Sequence, residues 1–488
     1  MIARTIRAAG GFLAVTVLAC AAPPPTTPQA PRAFAGIDTT VIREMTRVLA
    51  HDSMGGRGTG APGSAAAARI IAQACREAGL EPVAGSYRHP VPLTRTAILP
   101  STSLAIHGGA GSQPLTFAAG EDFVIRPASI VRPFVGDAVY VGTETSLREG
   151  DALPQLAGQV AVTLGTISPA MADRVAAVGA QALVSLLPDT AHYGQLRRTA
   201  ERPMWALQDT SVHTAHVYAL PTVVLGREAA TVLADAARPD GPSWPRFDRT
   251  IEVRLDADRA PVVEHNIACV LAGDDGASAD TALVYTAHYD HLGVRSANAG
   301  DSIFNGFSDN AAGVAMLLAT ARAMRAARRP PPNTVLFLFL AAEEVGLLGA
   351  EYFVHHPPWP LSRIKAVINL DAGAPPAKPW TWRIAGGDSS ALGELAMDVA
   401  ARNGWSAVTS AATPNSDYYP FWDSGVPAIF IIPGPAKYEG ISADSSDALR
   451  ARWDRYHQAG DEWHEDFPFE GLGRYAEYAL RVGLATMQ

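Results

Sequence analysis

Cysteine is scarce in this chain of 488 residues: there are three, at positions 20, 75 and 269. That excludes a dense disulfide framework. Cys75 falls in a helical pattern and Cys269 in a strand pattern, which reads as two buried free thiols; a bridge between them is the alternative, and spacing does not choose. Charge is thin too. Charged residues make up 18%, and the net charge of -9 is spread without any basic stripe, which excludes a nucleic-acid partner. Beyond residue 19 no apolar run is long enough to cross a bilayer as a helix. What is there, 48% hydrophobic residues, is the composition of a globular protein, and 488 residues predict two or three domains.

The first residues read as a targeting segment. Arg4 and Arg7 supply a positive start, and Ala8 to Ala19 is apolar but too short for a membrane span. Val17-Leu18-Ala19-Cys20 resembles a bacterial lipoprotein signal with Cys20 as the lipidated residue; an ordinary secretory signal cut nearby is the alternative. Either places the protein outside the cytoplasm, facing the periplasm or the exterior, with a lipid at Cys20 as its sole membrane attachment. Pro23 to Pro31 follows as an extended tether, so 1–35 is signal and tether.

Residues 36–92 begin the catalytic domain, with helices predicted over Ile37 to Ala50 and Ser64 to Ala78 on either side of a glycine-rich turn, Gly55-Gly56-Arg57-Gly58-Thr59-Gly60. From 93 to 258 short β-like runs appear (Ala138 to Val141, Gln159 to Leu164, Ala182 to Leu187, Pro221 to Leu225), with one helix near Pro169 to Val178. This stretch reads as an inserted β-rich domain whose texture resembles the protease-associated domain of exported peptidases. From 259 to 488 apolar strands alternate with helices. Strands predicted at Ala282 to Ala287, Thr334 to Leu340, Ile364 to Leu370 and Pro427 to Ile432 are apolar on both faces. Such strands need helices above and below, giving an α/β fold: a three-layer α/β/α sandwich with a mostly parallel, mixed central sheet.

Acidic and imidazole residues gather at the ends of those strands, where open α/β sheets build their sites. His288 follows the first, with Asp290 two positions on as a carboxylate to hold its second nitrogen. Glu343-Glu344 follows an uncharged run; adjacent carboxylates there are costly unless cations neutralise them. Asp371 ends the third strand. Asp309 stands at the mouth of a helix, where two carboxylate oxygens can bridge two cations, and His457 lies in a late loop. These nitrogen and oxygen donors suit zinc, with cobalt and manganese as weaker candidates, and leave open positions for water and substrate.

The motifs Thr286-Ala287-His288-Tyr289-Asp290, Ser308-Asp309-Asn310-Ala311-Ala312-Gly313, Ala341-Ala342-Glu343-Glu344-Val345-Gly346, Asn369-Leu370-Asp371, Ser416-Asp417-Tyr418 and Tyr456-His457 occur in an order that resembles the co-catalytic dizinc exopeptidases, which include aminopeptidases and glutamate carboxypeptidase. The resemblance implies two Zn2+ per chain. His288 and Asp371 would hold one, Glu344 and His457 the other, and Asp309 both, through a cis peptide to Asn310. Glu343 would be the general base, Asp290 would orient His288, and Tyr456 would bind the developing oxyanion. Asp417 and Tyr418 would line the substrate pocket, the family often having His where Tyr418 stands.

The activity so implied is hydrolysis of N-terminal residues from peptides by a metal-activated water. Acidic groups near one metal suit a free amino terminus. A carboxypeptidase would need a cation facing the pocket, for which Arg295 is the nearest candidate in sequence. A single-zinc glutaminyl cyclase and a receptor that has lost its metals are further alternatives, both opposed by the complete ligand set.

Overall fold

The structure is a computed structural model. It describes residues 36–488 apart from 110–111, 127–128, 145–151, 188–189, 201, 213–217, 235–245, 275, 296–299 and 435–436. The signal, the tether and Cys20 lie outside the described residues.

A ten-stranded mixed sheet forms the larger framework. At its centre Ala282–His288 pairs in parallel with Thr334–Leu340 on one side and Ile364–Asn369 on the other. Ala428–Pro433 continues in parallel beyond Ile364–Asn369. On the other flank the long strands Ala257–Leu271 and Arg88–Ile98 run antiparallel. Thr381–Ala385 and Ser406–Ser410, which sequence periodicity does not announce, complete the opposite edge.

Alternation along each strand sends side chains to two separate cores. Val335, Phe337 and Phe339 enter one; Leu336, Leu338 and Leu340 enter the other. The first core is closed by helices Thr39–Leu49, Pro62–Glu77, Ala312–Arg325, Ala391–Arg402 and Glu470–Thr486, and the second by Leu348–His355 and Tyr418–Asp423. Burial on both faces explains why these strands are uniformly apolar.

An eight-stranded sheet with its own core of Leu104, Ile106, Val160, Val162, Val184, Val223 and Ile251 occupies most of 103–254. Its middle strands, Phe134–Tyr140, Val160–Leu164, Ala182–Leu186 and Thr222–Leu225, are parallel, and helices Pro169–Ala177, Thr190–Ala200 and Arg227–Ala234 intervene. One strand of this stretch, Met204–Leu207, leaves it to pair with Arg88–Ile98 at the edge of the larger sheet.

Cys75 and Cys269 form a disulfide, correcting the free-thiol reading. Helix and strand face each other in one core, which brings the two sulfurs together.

Candidate metal centre

Three parallel strands end side by side, so the residues that follow them converge. His288 closes Ala282–His288, Glu343 and Glu344 come just after Thr334–Leu340, and Asp371 just after Ile364–Asn369. Asp309 enters from the turn before helix Ala312–Arg325, through a cis Asp309–Asn310 peptide. The turn is held from several sides. Asp461 accepts from the backbone N–H of Ser308 at 2.9 Å and of Asp309 at 3.1 Å, and the Asn310 amide donates to the Leu370 carbonyl at 3.0 Å. Gly313 is required here, since a Cβ would stand 2.2 Å from Asn310 Oδ1. His457 arrives from the loop after helix Ala443–Trp453.

Two groups of donors result. His288, Glu343 and Asp371 present ligand atoms within 4.8 Å of one another, and so do His291, Asp309 and Glu344. His288 Nε2 lies 2.7 Å from Asp371 Oδ1 and 3.2 Å from Asp309 Oδ1. On the far side His457 Nε2 lies 3.1 Å from Asp309 Oδ2 and 3.2 Å from Glu344 Oε2. Asp309 thus turns one oxygen to each group. Glu343 stands further off, its Oε2 3.9 Å from His288 Nε2.

Crowding of buried acids sets the electrostatics. Burial pushes the Glu343 carboxyl well above the usual carboxylate range, against the pull of His288, with Asp371 and Asp417 adding to the rise. Burial also raises Asp371, again opposed by His288. Asp309 is held far below the usual range because hydrogen bonds from His288 and His457 outweigh its burial. Buried carboxylates this close, with only imidazoles between them, form a donor set that divalent cations fit.

Several expected roles change. His288 Nδ1 lies 3.1 Å from the main-chain carbonyl of Asp290, whereas the Asp290 carboxylate is 3.9 Å away. That carboxylate instead accepts the backbone N–H groups of Glu343 at 3.0 Å and Glu344 at 3.3 Å, fixing both acids in the turn. Asp290 therefore orients His288 through its backbone and the glutamates through its side chain. Asp417 and Tyr418 are buried and line neither cavity at the centre, which corrects their assignment to the substrate pocket. The Tyr418 hydroxyl is engaged by the Thr413 backbone, accepting from its N–H at 2.7 Å and donating to its carbonyl at 2.9 Å. Tyr456 stacks on His457, with ring centroids 3.9 Å apart, and lines the cavity beside Glu343.

Three contributors escaped the sequence reading. His291 is buried with Nδ1 2.6 Å from Glu344 Oε1; a second histidine three residues after His288 was the available signal. Ser416 donates to Asp371 Oδ2 and accepts from Asn369 Nδ2. Arg57, in the glycine-rich turn, is fully buried; it donates to the carbonyls of Tyr289 at 2.7 Å, Asn305 at 2.6 Å and Gly306 at 2.8 Å, tying the loop after His288 to the loop before Asp309.

Two cavities that share no residue open onto this centre. One, about 340 Å³, touches His288, Asp309, Glu343 and Asp371 and has apolar walls in Phe430, Ile432 and Trp453. The other, about 560 Å³, touches His291 and Glu344.

Residues 266–482, the stretch that carries every donor named above, match the sequence profile of peptidase family M28. That stretch belongs to peptidase family M28. Around this M28 domain, sequence likeness is partial. Aminopeptidase YwaD of Bacillus subtilis is 27% identical over 195 residues, 37% of this chain and 39% of that protein. The vacuolar membrane protease of Yarrowia lipolytica is 34% identical over 107 residues, 22% of this chain and 10% of that protein. The chain therefore spans well under half the length of these relatives. Among solved structures, the aminopeptidase from Aneurinibacillus sp. strain AM-1 superposes with a TM-score of 0.56 at 19% identity, covering 91% of this chain and 93% of that one. BSAP, a zinc aminopeptidase from Bacillus subtilis, gives 0.51 at 18% identity, covering 92% and 95%. At these identities the likeness establishes the fold alone: a mixed α/β architecture shared over nearly the whole length.

Proposed function

We propose that this protein is an exported, zinc-dependent aminopeptidase with two ions per chain. The observation that carries this reading is Asp309, whose two oxygens face opposite imidazoles at 3.2 and 3.1 Å. His288 and Asp371 would complete one ion's ligands, and Glu344 and His457 the other's. Zinc bound there would polarise a peptide carbonyl and lower the pKa of the attacking water towards neutrality.

Glu343, set back from the ligand atoms and facing the cavity, is the carboxylate free to take a proton from the attacking water and return it to the leaving amine. Tyr456, at the same cavity wall, would donate to the carbonyl oxygen as charge develops on it. The acidic rim of Asp309, Asp371 and Glu343 suits the ammonium group of a free amino terminus, and the names of YwaD and BSAP as aminopeptidases support that choice.

The same reading extends to architecture and place. Residues 36–92 and 259–488 make a three-layer α/β/α peptidase domain, and 93–258 is an inserted protease-associated-like domain. Residues 1–35 direct export, with a lipid at Cys20. Among the described residues no helix is long and apolar enough to cross a membrane.

Elemental analysis should find two zinc ions per chain, and aminoacyl-nitroanilides and unblocked peptides should be cleaved while N-acetylated ones are spared. Equal cleavage of blocked peptides would remove the aminopeptidase reading, and a single ion at saturation would remove the pair.

A further inference from the structure

The larger cavity carries cations that the chemistry above does not use. Its walls include Arg95, Arg202 and Arg295 around Glu344, His291, Trp205 and Val345. Arg95 has a partner, with its Nη1 3.5 Å from Asp258. Arg202 and Arg295 have no carboxylate within ion-pair distance among the described residues. Arg295 spends one N–H on the Leu292 carbonyl at 3.1 Å and lies over the Phe304 ring at 4.9 Å, which fixes its plane and leaves its outer nitrogens without a partner among the described residues. Burial pulls the Arg295 pKa down to about 10, with Arg202 close enough to add to the fall and Glu344 to oppose it. With Glu344 committed to a cation, two guanidinium groups in one cavity have no anion left beside them among the described residues. That is an unfavourable arrangement until something negative enters.

The smaller cavity has the opposite character. It holds two arginines, Arg383 and Arg450, the second paired with Asp447 at 2.8 Å, but Glu343 and Asp454 line it besides Asp309 and Asp371. A peptide lying across the centre with its scissile bond there must place one end in each cavity. An ammonium terminus is repelled by Arg202 and Arg295 and attracted to the acidic side. With Asp309 and Asp371 committed to cations as Glu344 is, Glu343 and Asp454 still leave the smaller cavity the more acidic, which sets the direction of the chain: amino terminus in the smaller cavity, leaving portion in the larger.

Resting on the aminopeptidase reading, we propose that Arg202 and Arg295 form a carboxylate subsite for the residue released after cleavage, so that the favoured substrates are short peptides carrying an anion directly beyond the scissile bond. The anion has two sources, the α-carboxylate of a dipeptide or the side chain of an acidic residue, and guanidinium recognition serves either.

The test uses the full-length zinc-loaded protein and four peptides: Leu-Ala, Leu-Ala amide, Leu-Glu amide and Leu-Gln amide. The first pair reads the α-carboxylate and the second the side chain. The wild-type kcat/KM should favour the anionic member of at least one pair by on the order of tenfold, and the preference should shrink as salt is raised. In Arg295→Gln combined with Arg202→Gln it should fall towards parity. Arg202→Gln alone, at an exposed position, should lower it partway and guards against a folding defect in the double variant. Parity in the wild type, or a preference that survives the double substitution, overturns the subsite while turnover of the amides leaves the peptidase reading standing. No turnover of any of the four overturns both.

Discussion

Glu343 and Asp309 are both buried acids a few ångströms apart, yet their surroundings assign them different work. Glu343→Gln keeps the shape and removes the proton acceptor, so turnover should fall by about 10²–10⁴-fold while bound metal, read by elemental analysis, is unchanged. Retained activity would take the base role from Glu343. Asp309→Ala removes one oxygen from each donor group, and both ions should be lost together; a variant that still holds two would refute the bridge. Away from the centre, Glu264 is buried with Oε1 accepting from the Gly60 N–H at 2.6 Å and Oε2 from the Ser64 hydroxyl at 3.0 Å. Burial raises its pKa. A carboxyl that binds its proton more tightly folded than unfolded contributes stability at low pH that is lost as pH climbs through the raised value. Glu264→Gln should therefore show a smaller fall in urea midpoint between pH 5 and pH 8 than the wild type. It should also be weaker at every pH by about 1–3 kcal/mol, because its NH2 must face one of two donors. An unchanged pH slope would clear Glu264 of that effect.

Elements place these residues, and their ends matter more than their middles. Strand Thr334–Leu340 was legible because eight apolar residues, Val335 to Ala342, run unbroken into two glutamates. The last two strands on that flank, Thr381–Ala385 and the edge strand Ser406–Ser410, were not, since partly exposed strands mix residue types and their pairing is decided by neighbours distant in sequence. Tyr418 was misread for a similar reason: a motif gives the order of residues, whereas the helix Tyr418–Asp423 turns that ring into the second core. The disulfide ties helix Pro62–Glu77 to strand Ala257–Leu271 across 194 residues of sequence. Closing so long a loop restricts the unfolded chain, so Cys75→Ala should cost about 2–5 kcal/mol, measured by denaturant unfolding, with reduced wild type falling to a similar value. No change on reduction would show the bridge to be absent in solution.

At the scale of the whole molecule, the centre depends on pieces that lie far apart along the chain. Arg57 from the first helical region, Asp309 and His291 from loops, and His457 from near the end meet only when the larger sheet and its helices have formed. Residues 1–22 carry none of the residues named at the centre, so a chain lacking Met1 to Ala22 should be released in soluble form and remain active; a folded but inactive product would give the leader a catalytic part. The sequence by itself put carboxylates and imidazoles at the ends of apolar strands, where they are costly to bury without cations, and so marked them as candidate metal ligands. It also determined the mixed α/β class, because apolar strands alternate with helices along 259–488. Only the tertiary structure decided which carbonyl and carboxylate of Asp290 serve which neighbour, that Cys75 meets Cys269, and that Arg202 and Arg295 share a cavity with Glu344. Contacts between residues hundreds of positions apart leave no periodic trace in the chain, because direction and distance in space come from packing and not from order along the backbone.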